Sequence, residues 1–469
     1  MNHWFKHSLK TIVLPYLCLF ITQPGYADQA SINNDILQLD AAFKNLSETF
    51  YHAASNNTEE YPQPIVDVDL LLSAVNKLQE AGHTIEAIRL IHLNTETIKE
   101  NLDSETIFSF IELLLDNNVW NLASTLLKEV EDANDQSILV TIQFLFAKYH
   151  ARHHDWIQVN NLLEGHFSEL SEEDTGYAYL LNGIALQHMK KHRQAINNYE
   201  KVLPSSQYYS HAQLNMAIAN IRLGWWTDAQ IKIKDQLKRA GKTNRDELTN
   251  RLYLVLGYAL LQKEYYRDSR DAFRHIGLES RYTNRALLGI GLTATSQGDY
   301  VGAINALTIL KNKKTFDLSV DESYLLIPYV YEKLQQEITV STAYTEAMKY
   351  YRHRVAGLNN IAGEHIDINN LKYKSKTSSF IIDNNNFDYG ARYPESFLKN
   401  FHRLKDFHNF TNDSKLKNKI SRLIAKFNTT LQEVIADLVG QRKEYLNSYL
   451  NQSRYGLARL YDNSKKTGD

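Results

Sequence analysis

The chain has 469 residues, 43% of them hydrophobic, with only 7 prolines and 19 glycines, a balance that permits long uninterrupted helices and supplies an extended core. Its 52 Lys and Arg against 54 Asp and Glu leave a formal net charge of −2, which argues against a broad nucleic-acid surface, because such a surface needs clustered cations to neutralise phosphates. A single cysteine, Cys18, excludes a disulfide scaffold.

The first residues follow the pattern of a secretory signal. Lys6 and Lys10 form a basic head, Thr11 to Ile21 an apolar stretch interrupted by Pro15, and Gly25-Tyr26-Ala27 a small-residue cleavage site. Residues 1–27 are therefore expected to be removed, leaving Asp28 at the N-terminus of a periplasmic protein. The bulky Tyr26 keeps open the alternative of an uncleaved segment that anchors the protein in the inner membrane. Leu17 stands where a lipoprotein signal needs a small residue before its cysteine, so no lipid anchor is expected and the mature chain carries no cysteine. No later segment is apolar and long enough to cross a membrane. Over 28–66, Leu39, Phe43, Leu46 and Phe50 follow helical spacing until NNTEEYPQP breaks it at Asn56 to Pro64, which predicts a capping helix and a loop.

From 67 to 355 a ladder of residues returns every 34 to 40 positions: Ala87, Ala123, Val159, Ala195, Ala229, Ser269, Ala303 and Val340. Three residues before most rungs stands a ring, in Trp120, Trp156, His192, Trp226, Tyr266 and Tyr300. Five before come Gly82, Asn118, Gly224 and Gly298, which tolerate the positive φ of a tight turn after a helix. Four after come Leu127, Leu163, Tyr199, Phe273, Leu307 and Tyr344, on the rung's own helix face. Twelve before, on the preceding helix, Ala147, Gly183, Ala217, Gly257 and Gly291 are small enough to let two helices approach closely. A period of this size with these columns predicts about eight stacked helical hairpins.

In LLNGIALQHMKKHRQAINNYEKVLP, from Leu180 to Pro204, and LYLVLGYALLQKEYYRDSRDAFRHI, from Leu252 to Ile276, the chain resembles the tetratricopeptide repeat family, here as an exported bacterial member. The resemblance spans about residues 68 to 355 and implies an all-α, α-α superhelix. The chain departs from the pattern where Val75 and Ile111 replace the small first-helix residue. Pro328 in that column predicts a kink or restart, and a polar insertion from Lys238 to Glu247 accounts for the 40-residue gap. For function the resemblance implies a groove, lined by the first helix of each hairpin, that binds an extended peptide or a partner helix. The register puts Tyr177, Gln187 and His188 in that groove, followed by His211, Asn215 and Arg222. Later units add Arg251, Tyr258 and Gln262, then Arg285, then Glu322, Tyr329 and Lys333. Some relatives clamp a peptide's terminal carboxylate; Leu214, Leu254 and Leu288 line the groove here instead, and Arg251 and Arg285, one unit apart, favour an apolar and acidic partner.

The stretch 356–410 is rich in Asn, Ser and Asp, includes FIID at Phe380 to Asp383, and reads as an irregular linker. Over 411–469 a helical seam resumes through Leu416, Ile420, Leu423, Phe427, Leu431, Val434, Leu438, Tyr445 and Tyr449, with Gly440 its weak point. This helix is expected to dock on its own solenoid or to self-associate; Tyr445, Tyr449, Tyr455 and Tyr461 favour a packed, half-buried surface over a free zipper.

Catalytic signatures were sought without success: the chain contains no GxSxG, HExxH, GxxxxGK[ST] or Rossmann glycine run. The best metal candidate is HARHHDW, with His150, His153, His154 and Asp155, but His154 and Trp156 fall in the turn and ring columns, so a hairpin turn is expected. DNNNFDYG, from Asp383, lacks the spacing of a calcium loop and reads as an Asx-rich turn. No metal, cofactor or catalytic residue is expected. The function expected is a non-enzymatic periplasmic scaffold for protein partners in a cell-envelope assembly serving secretion, polysaccharide export or the cell wall. The alternative is a cell-wall or polysaccharide-active enzyme or its accessory subunit.

Overall fold

The computed structural model describes residues 27–55, 64–133, 135–164, 169–240, 246–314, 316–364, 366, 372–374, 379–390 and 392–466. The expected export signal apart from Ala27, the breaker at 56–63 and the middle of the polar insertion lie outside the described residues.

Among the described residues the fold is all-α and built of helical hairpins, with one small sheet. Helix α1 (Ala27–Ser55) precedes eight hairpins. The first four are α2 (Val68–Glu80) with α3 (Thr84–Leu93), then, after the short α4 (Thr95–Lys99), α5 (Thr106–Asp116) with α6 (Trp120–Ala133), α7 (Gln136–Arg152) with α8 (Trp156–Leu162), and α9 (Glu172–His188) with α10 (His192–Tyr199). The remaining four are α11 (Tyr209–Leu223) with α12 (Trp226–Ala240), α13 (Glu247–Gln262) with α14 (Tyr266–Arg274), α15 (Thr283–Gln297) with α16 (Tyr300–Lys311), and α17 (Leu318–Lys333) with α18 (Glu337–Gly363).

Each hairpin turns in the same way. The residue five before the rung has positive φ in all eight, namely Gly82, Asn118, His154, Lys190, Gly224, Glu264, Gly298 and Gln335. Its N–H bonds back three residues, as in Lys190 to the Gln187 carbonyl (3.0 Å), and the next N–H bonds back five, as in Lys191 to Leu186 (2.8 Å) and Tyr265 to Leu260 (2.9 Å). This paired closure satisfies two carbonyls orphaned at the helix end. It holds even at Lys190, Glu264 and Gln335, where a side chain in the left-handed region costs about 1 kcal/mol.

Every rung is at most 1% exposed. Ser269, the polar rung, donates its hydroxyl to the Gly257 carbonyl at 2.7 Å and so stays satisfied in the core. The small column meets the large one: a methyl on Gly257 would lie 2.5 Å from the Phe273 ring, and one on Gly291 2.6 Å from Leu307. Gly289, on the following first helix, would also collide with Phe273, so that ring is gripped by two successive hairpins. Pro328 does not break its helix. α17 runs through it unbroken, with Ile327, Pro328 and Val330 all buried, so packing on both sides carries the missing hydrogen bond.

Two compact units emerge, one from Ser31–Ala219 with Tyr393–Thr430, the other from Asn220–Arg392 with Leu431–Asp469 and the residues before Ser31. Within the first, α19 (Glu395–Phe410) buries Phe397, Phe401, Leu404 and Phe407, and Phe407 stacks on Phe50 of α1 with centroids 4.1 Å apart. Within the second, α18 continues past Val355 to Gly363 by burying Leu358 and Ile361. Three short antiparallel strands follow: β1 (Lys372–Lys374), β2 (Ser379–Ile382) and β3 (Asn385–Asp388), with Phe380 opposite Phe387. Asp383 and Asn384, both at positive φ, make the two-residue turn between β2 and β3 that matches strand twist. Phe316 pairs with this meander through its N–H to the Asn384 carbonyl, at 3.0 Å. The stretch 356–410, expected to be irregular, is thus largely ordered; its strands are too short to show a period, and one contact that fixes them comes from a residue far upstream in the chain.

The last helix, α20 (Ser414–Lys466), supplies both units. In the second it runs antiparallel to α18: as α18 advances from Tyr344 through Tyr351 towards Ile366, its partners retreat from Gly456 through Tyr449 to Gln432. A methyl on Gly456 would lie 2.6 Å from the Tyr344 hydroxyl, so Tyr344 is gripped as Phe273 is by Gly289. The helix therefore occupies the position of the first helix of a further hairpin. Its buried seam leaves the expected course after Leu438, passing through Arg442, Leu446, Leu450 and Ser453, while Tyr455 and Tyr461 are exposed. The physical cause is Arg442, a charge inside an apolar seam. Its Nε lies 2.8 Å from Asp321, which is fully buried and also meets Arg354 at 3.4 Å and accepts from Tyr350 at 2.6 Å. Burial, then the Asp321 charge, push the Tyr350 phenol up, so it stays a donor.

Gly257→Ala is expected to destabilise the protein by ~1–3 kcal/mol through overpacking on Phe273; a urea midpoint equal to wild type would show that the contact relaxes freely. Asp321→Ala leaves two buried guanidinium groups without their carboxylate and should cost ~3–5 kcal/mol. Hydrogen exchange should then rise in the Arg442 to Ser453 segment of α20, and unchanged protection there would rule out the cluster as its anchor.

Candidate binding surfaces

The residues expected to line a groove are dispersed over both units. In the first unit Tyr177 is half-buried and stacks on Tyr208 at 4.7 Å. Gln187 is buried and donates to the Asn215 carbonyl at 2.8 Å, so it ties α9 to α11. His188 is exposed and stacks on Trp156 at 4.1 Å, and His211 is exposed. In the second unit Arg222 and Arg251 are half-buried, and Tyr258 is buried with its hydroxyl donating to the Arg285 carbonyl at 2.8 Å. Arg285 and Tyr329 are half-buried, Gln262 and Lys333 exposed, Glu322 buried. Arg251 and Arg285 stand at the same register, each eighteen residues before its rung, on successive first helices α13 and α15 that pack on each other.

A second surface lies at the hairpin turns of the second unit. Asp155 and Asp299 precede the second helix of their hairpins and cap it, accepting from Gln158 N at 3.3 Å and Gly302 N at 2.9 Å. Trp225 and Tyr265 hold that same position in two successive hairpins, a position that His83, Lys191 and Gln336 likewise occupy without a side-chain cap. Tyr265 makes no cap, and both rings face solvent, at 40% and 60% exposure. Together with Trp226, Thr227, Asp228, Gln230, Leu260 and Lys263 they line a cavity of about 430 Å³, within the range of small-ligand sites. In the sequence Trp226 reads only as a repeat ring.

The histidine-rich segment is taken up by the fold. His150 faces Asp155 at 3.2 Å, His154 stacks on Trp156, and His153 reaches Asp40 of α1 at 3.4 Å. No group of three or more metal-ligating side chains occurs among the described residues. Asp40 also accepts from Asn118 and Asn400, each at 3.0 Å, and pairs with Lys44 at 2.9 Å. Burial alone would push its carboxyl up; the bond to His153 and the charges of His153 and Lys44 outweigh it and hold the carboxyl well below the usual range. One carboxylate thus joins α1, two hairpin turns and α19.

No family model and no curated relative matches the chain. Among solved structures it is similar to the apo form of RapI, at 13% identity and a TM-score of 0.44, over 78% of this chain and 98% of that one. It is also similar to PilW, a type IV pilus biogenesis factor, at 12% identity and a TM-score of 0.32, over 54% and 97%. A third likeness is to the Cut9–Hcn1 hetero-tetramer of APC/C, at 14% identity and a TM-score of 0.33, over 64% and 56%. The likeness is one of helical-repeat architecture alone.

Because the folded Asp40 carboxyl lies below its unfolded value of about 4, its contribution is complete at neutral pH and is lost as pH falls below that value. The stability difference between wild type and Asp40→Asn should therefore shrink as pH falls below about 4 in urea titrations. A difference that grows as pH falls below about 4 would contradict the assignment.

Proposed function

We propose that the protein is a non-catalytic scaffold that binds a partner polypeptide along the first-helix face of its repeats. The observation that carries this is the repeated placement of Arg251 and Arg285, both partly solvent-accessible and one repeat apart on packed helices. A polypeptide lying across α13 and α15 would meet two guanidinium groups at one repeat's spacing. Leu214, Leu254 and Leu288, expected to line the groove, are buried in the core, so the two guanidinium groups alone set the preference, for an acidic partner. Tyr258 and Gln187 are read as the hydrogen bonds that keep successive first helices in register.

The basic, apolar and small-residue order of residues 1–27 supports export, and we place the scaffold in the cell envelope, as part of a secretion, polysaccharide-export or cell-wall assembly. The test is affinity capture of the tagged protein from envelope extracts, with its own N-terminus read by mass spectrometry. Asp28 is the N-terminus expected, and intact Met1 in the membrane fraction would favour the anchored form. An acidic segment of the captured partner should bind the purified protein, and Arg251→Glu with Arg285→Glu should weaken it about a hundredfold. An unchanged affinity would move the binding face elsewhere.

A further inference from the structure

We propose that the start of α20, in the first unit, is a docking surface for an acidic polysaccharide, a linear chain of uronic acids lying along one stripe of the helix. Lys415, Lys419, Arg422 and Lys426 are spaced by four, three and four residues, so they share one face over roughly 16 Å of helix axis, and all four are exposed. Each stands one residue before a buried member of the seam, Leu416, Ile420, Leu423 and Phe427. The packing of that seam, with Phe427 stacked on Phe397 of α19 at 5.1 Å, fixes the stripe within its unit. The charge is unbalanced locally. Between Asp413 and Glu433 there are five Lys and Arg and no carboxylate, in a chain of 52 Lys and Arg against 54 Asp and Glu. Asp413 itself is engaged at the helix N-terminus, accepting from Lys415 N at 2.8 Å. Elsewhere Lys148 pairs with Glu112 at 2.8 Å and Lys99 with Glu96 at 3.3 Å, whereas the side chains of the four stripe residues have no hydrogen-bond or ion-pair partner among the described residues.

What lies beside the stripe selects among polyanions. The other exposed positions of the segment are Ser414, Asn418, Ser421, Ala425 and Thr429, all small and all but one polar, and no large apolar or aromatic side chain is exposed between Ser414 and Thr430. A helix that binds a bilayer inserts its apolar face, and here the apolar face is buried in the core. A protein interface is centred on aromatic or apolar anchors, and single-stranded nucleic acid stacks its bases on aromatic rings; this face offers neither. A polyuronate needs none of these. Its carboxylates pair with the cations, its hydroxyls donate to and accept from Ser414, Asn418, Ser421 and Thr429, and the small side chains let it come close to the helix. Four cations in single file, about one per helical turn, match one linear polyanion rather than a plane of charge. The stripe belongs to the first unit and Arg251 and Arg285 to the second, so this inference does not rest on the polypeptide-binding reading.

The experiment is titration of the full chain at low salt with oligogalacturonate, a neutral glucan and poly-glutamate, followed by calorimetry, and with vesicles of phosphatidylcholine and phosphatidylglycerol, followed by co-sedimentation. Oligogalacturonate should bind and the glucan should not. The logarithm of its binding constant should fall against the logarithm of salt concentration with a slope of about −3, as four charge contacts on a single-stranded polyanion require. Lys415→Gln, Lys419→Gln, Arg422→Gln and Lys426→Gln together keep helix propensity and should weaken binding about a hundredfold with the circular dichroism unchanged. Exchange of the three lysines for Arg should preserve binding, and so should the Arg251→Glu, Arg285→Glu variant, which separates this surface from the polypeptide face. The proposal is overturned if oligogalacturonate does not bind, or if the Gln variant binds it as tightly as wild type does. It is overturned as well if poly-glutamate or the anionic vesicles bind more tightly through the same four residues, which would assign the stripe to an acidic polypeptide or to a lipid surface.

Discussion

The contact between a small residue on one helix and a large ring or leucine on the next sets the spacing on which the hairpins depend. Phe273 is held between Gly257 of its own hairpin and Gly289 of the next, and neither glycine has room for a methyl group. Because glycine costs helix stability, roughly 1 kcal/mol relative to alanine, these positions are retained only where burial of the facing ring returns more. The same rule seats α20. Tyr344 meets Gly456 as Phe273 meets Gly289, so the stack is closed in the second unit by a helix that obeys the repeat's packing without belonging to its period.

That closure places charge in the core. A solenoid must end in a helix with one face to the stack and one to water, and α20 brings Arg442 to the packed face. Two guanidinium groups and a phenol converge on Asp321, which lies on α17. Breaking such a cluster is far more costly than forming it is favourable, so its value lies in register: α20 displaced by one turn would bury Arg442 against apolar neighbours with no carboxylate in reach. Arg459, on the same helix, repeats the arrangement by pairing with Glu332, whose other oxygen accepts from Tyr344 at 2.6 Å.

What was legible in the sequence follows from how local each determinant is. The rungs, the small column and the glycine turns are each fixed by the size of one side chain, and they recur, so they could be read. Lys190, Glu264 and Gln335 were not readable as turn residues, since nothing in those side chains favours positive φ; the backbone closure imposes it. The helical spacing of Phe397, Phe401, Leu404 and Phe407 was present but followed a polar stretch that masked it. The seam of α20 was lost at Arg442, because a charge is skipped when apolar residues are traced. Among the proposed groove residues, Gln187, Tyr258 and Glu322 are buried, and no pattern distinguishes a polar side chain that joins two repeats from one that faces a partner.

A repeat protein can place different chemistry on different edges of one stack, because the constraints that hold the hairpins together use only part of each helix. The rung, the small column and the large column consume the inner faces; the turn residue is fixed by backbone hydrogen bonds rather than by its side chain. The first-helix face and the residue just before the second helix are therefore the least constrained by packing. The position before the second helix is held by Asp155 and Asp299, which cap it, and by His83, Lys191, Tyr265 and Gln336, which do not. An N-cap aspartate, as at Asp299, contributes a hydrogen bond to the second helix at that position. The repeat therefore tolerates several kinds of side chain where the backbone, not the side chain, closes the turn.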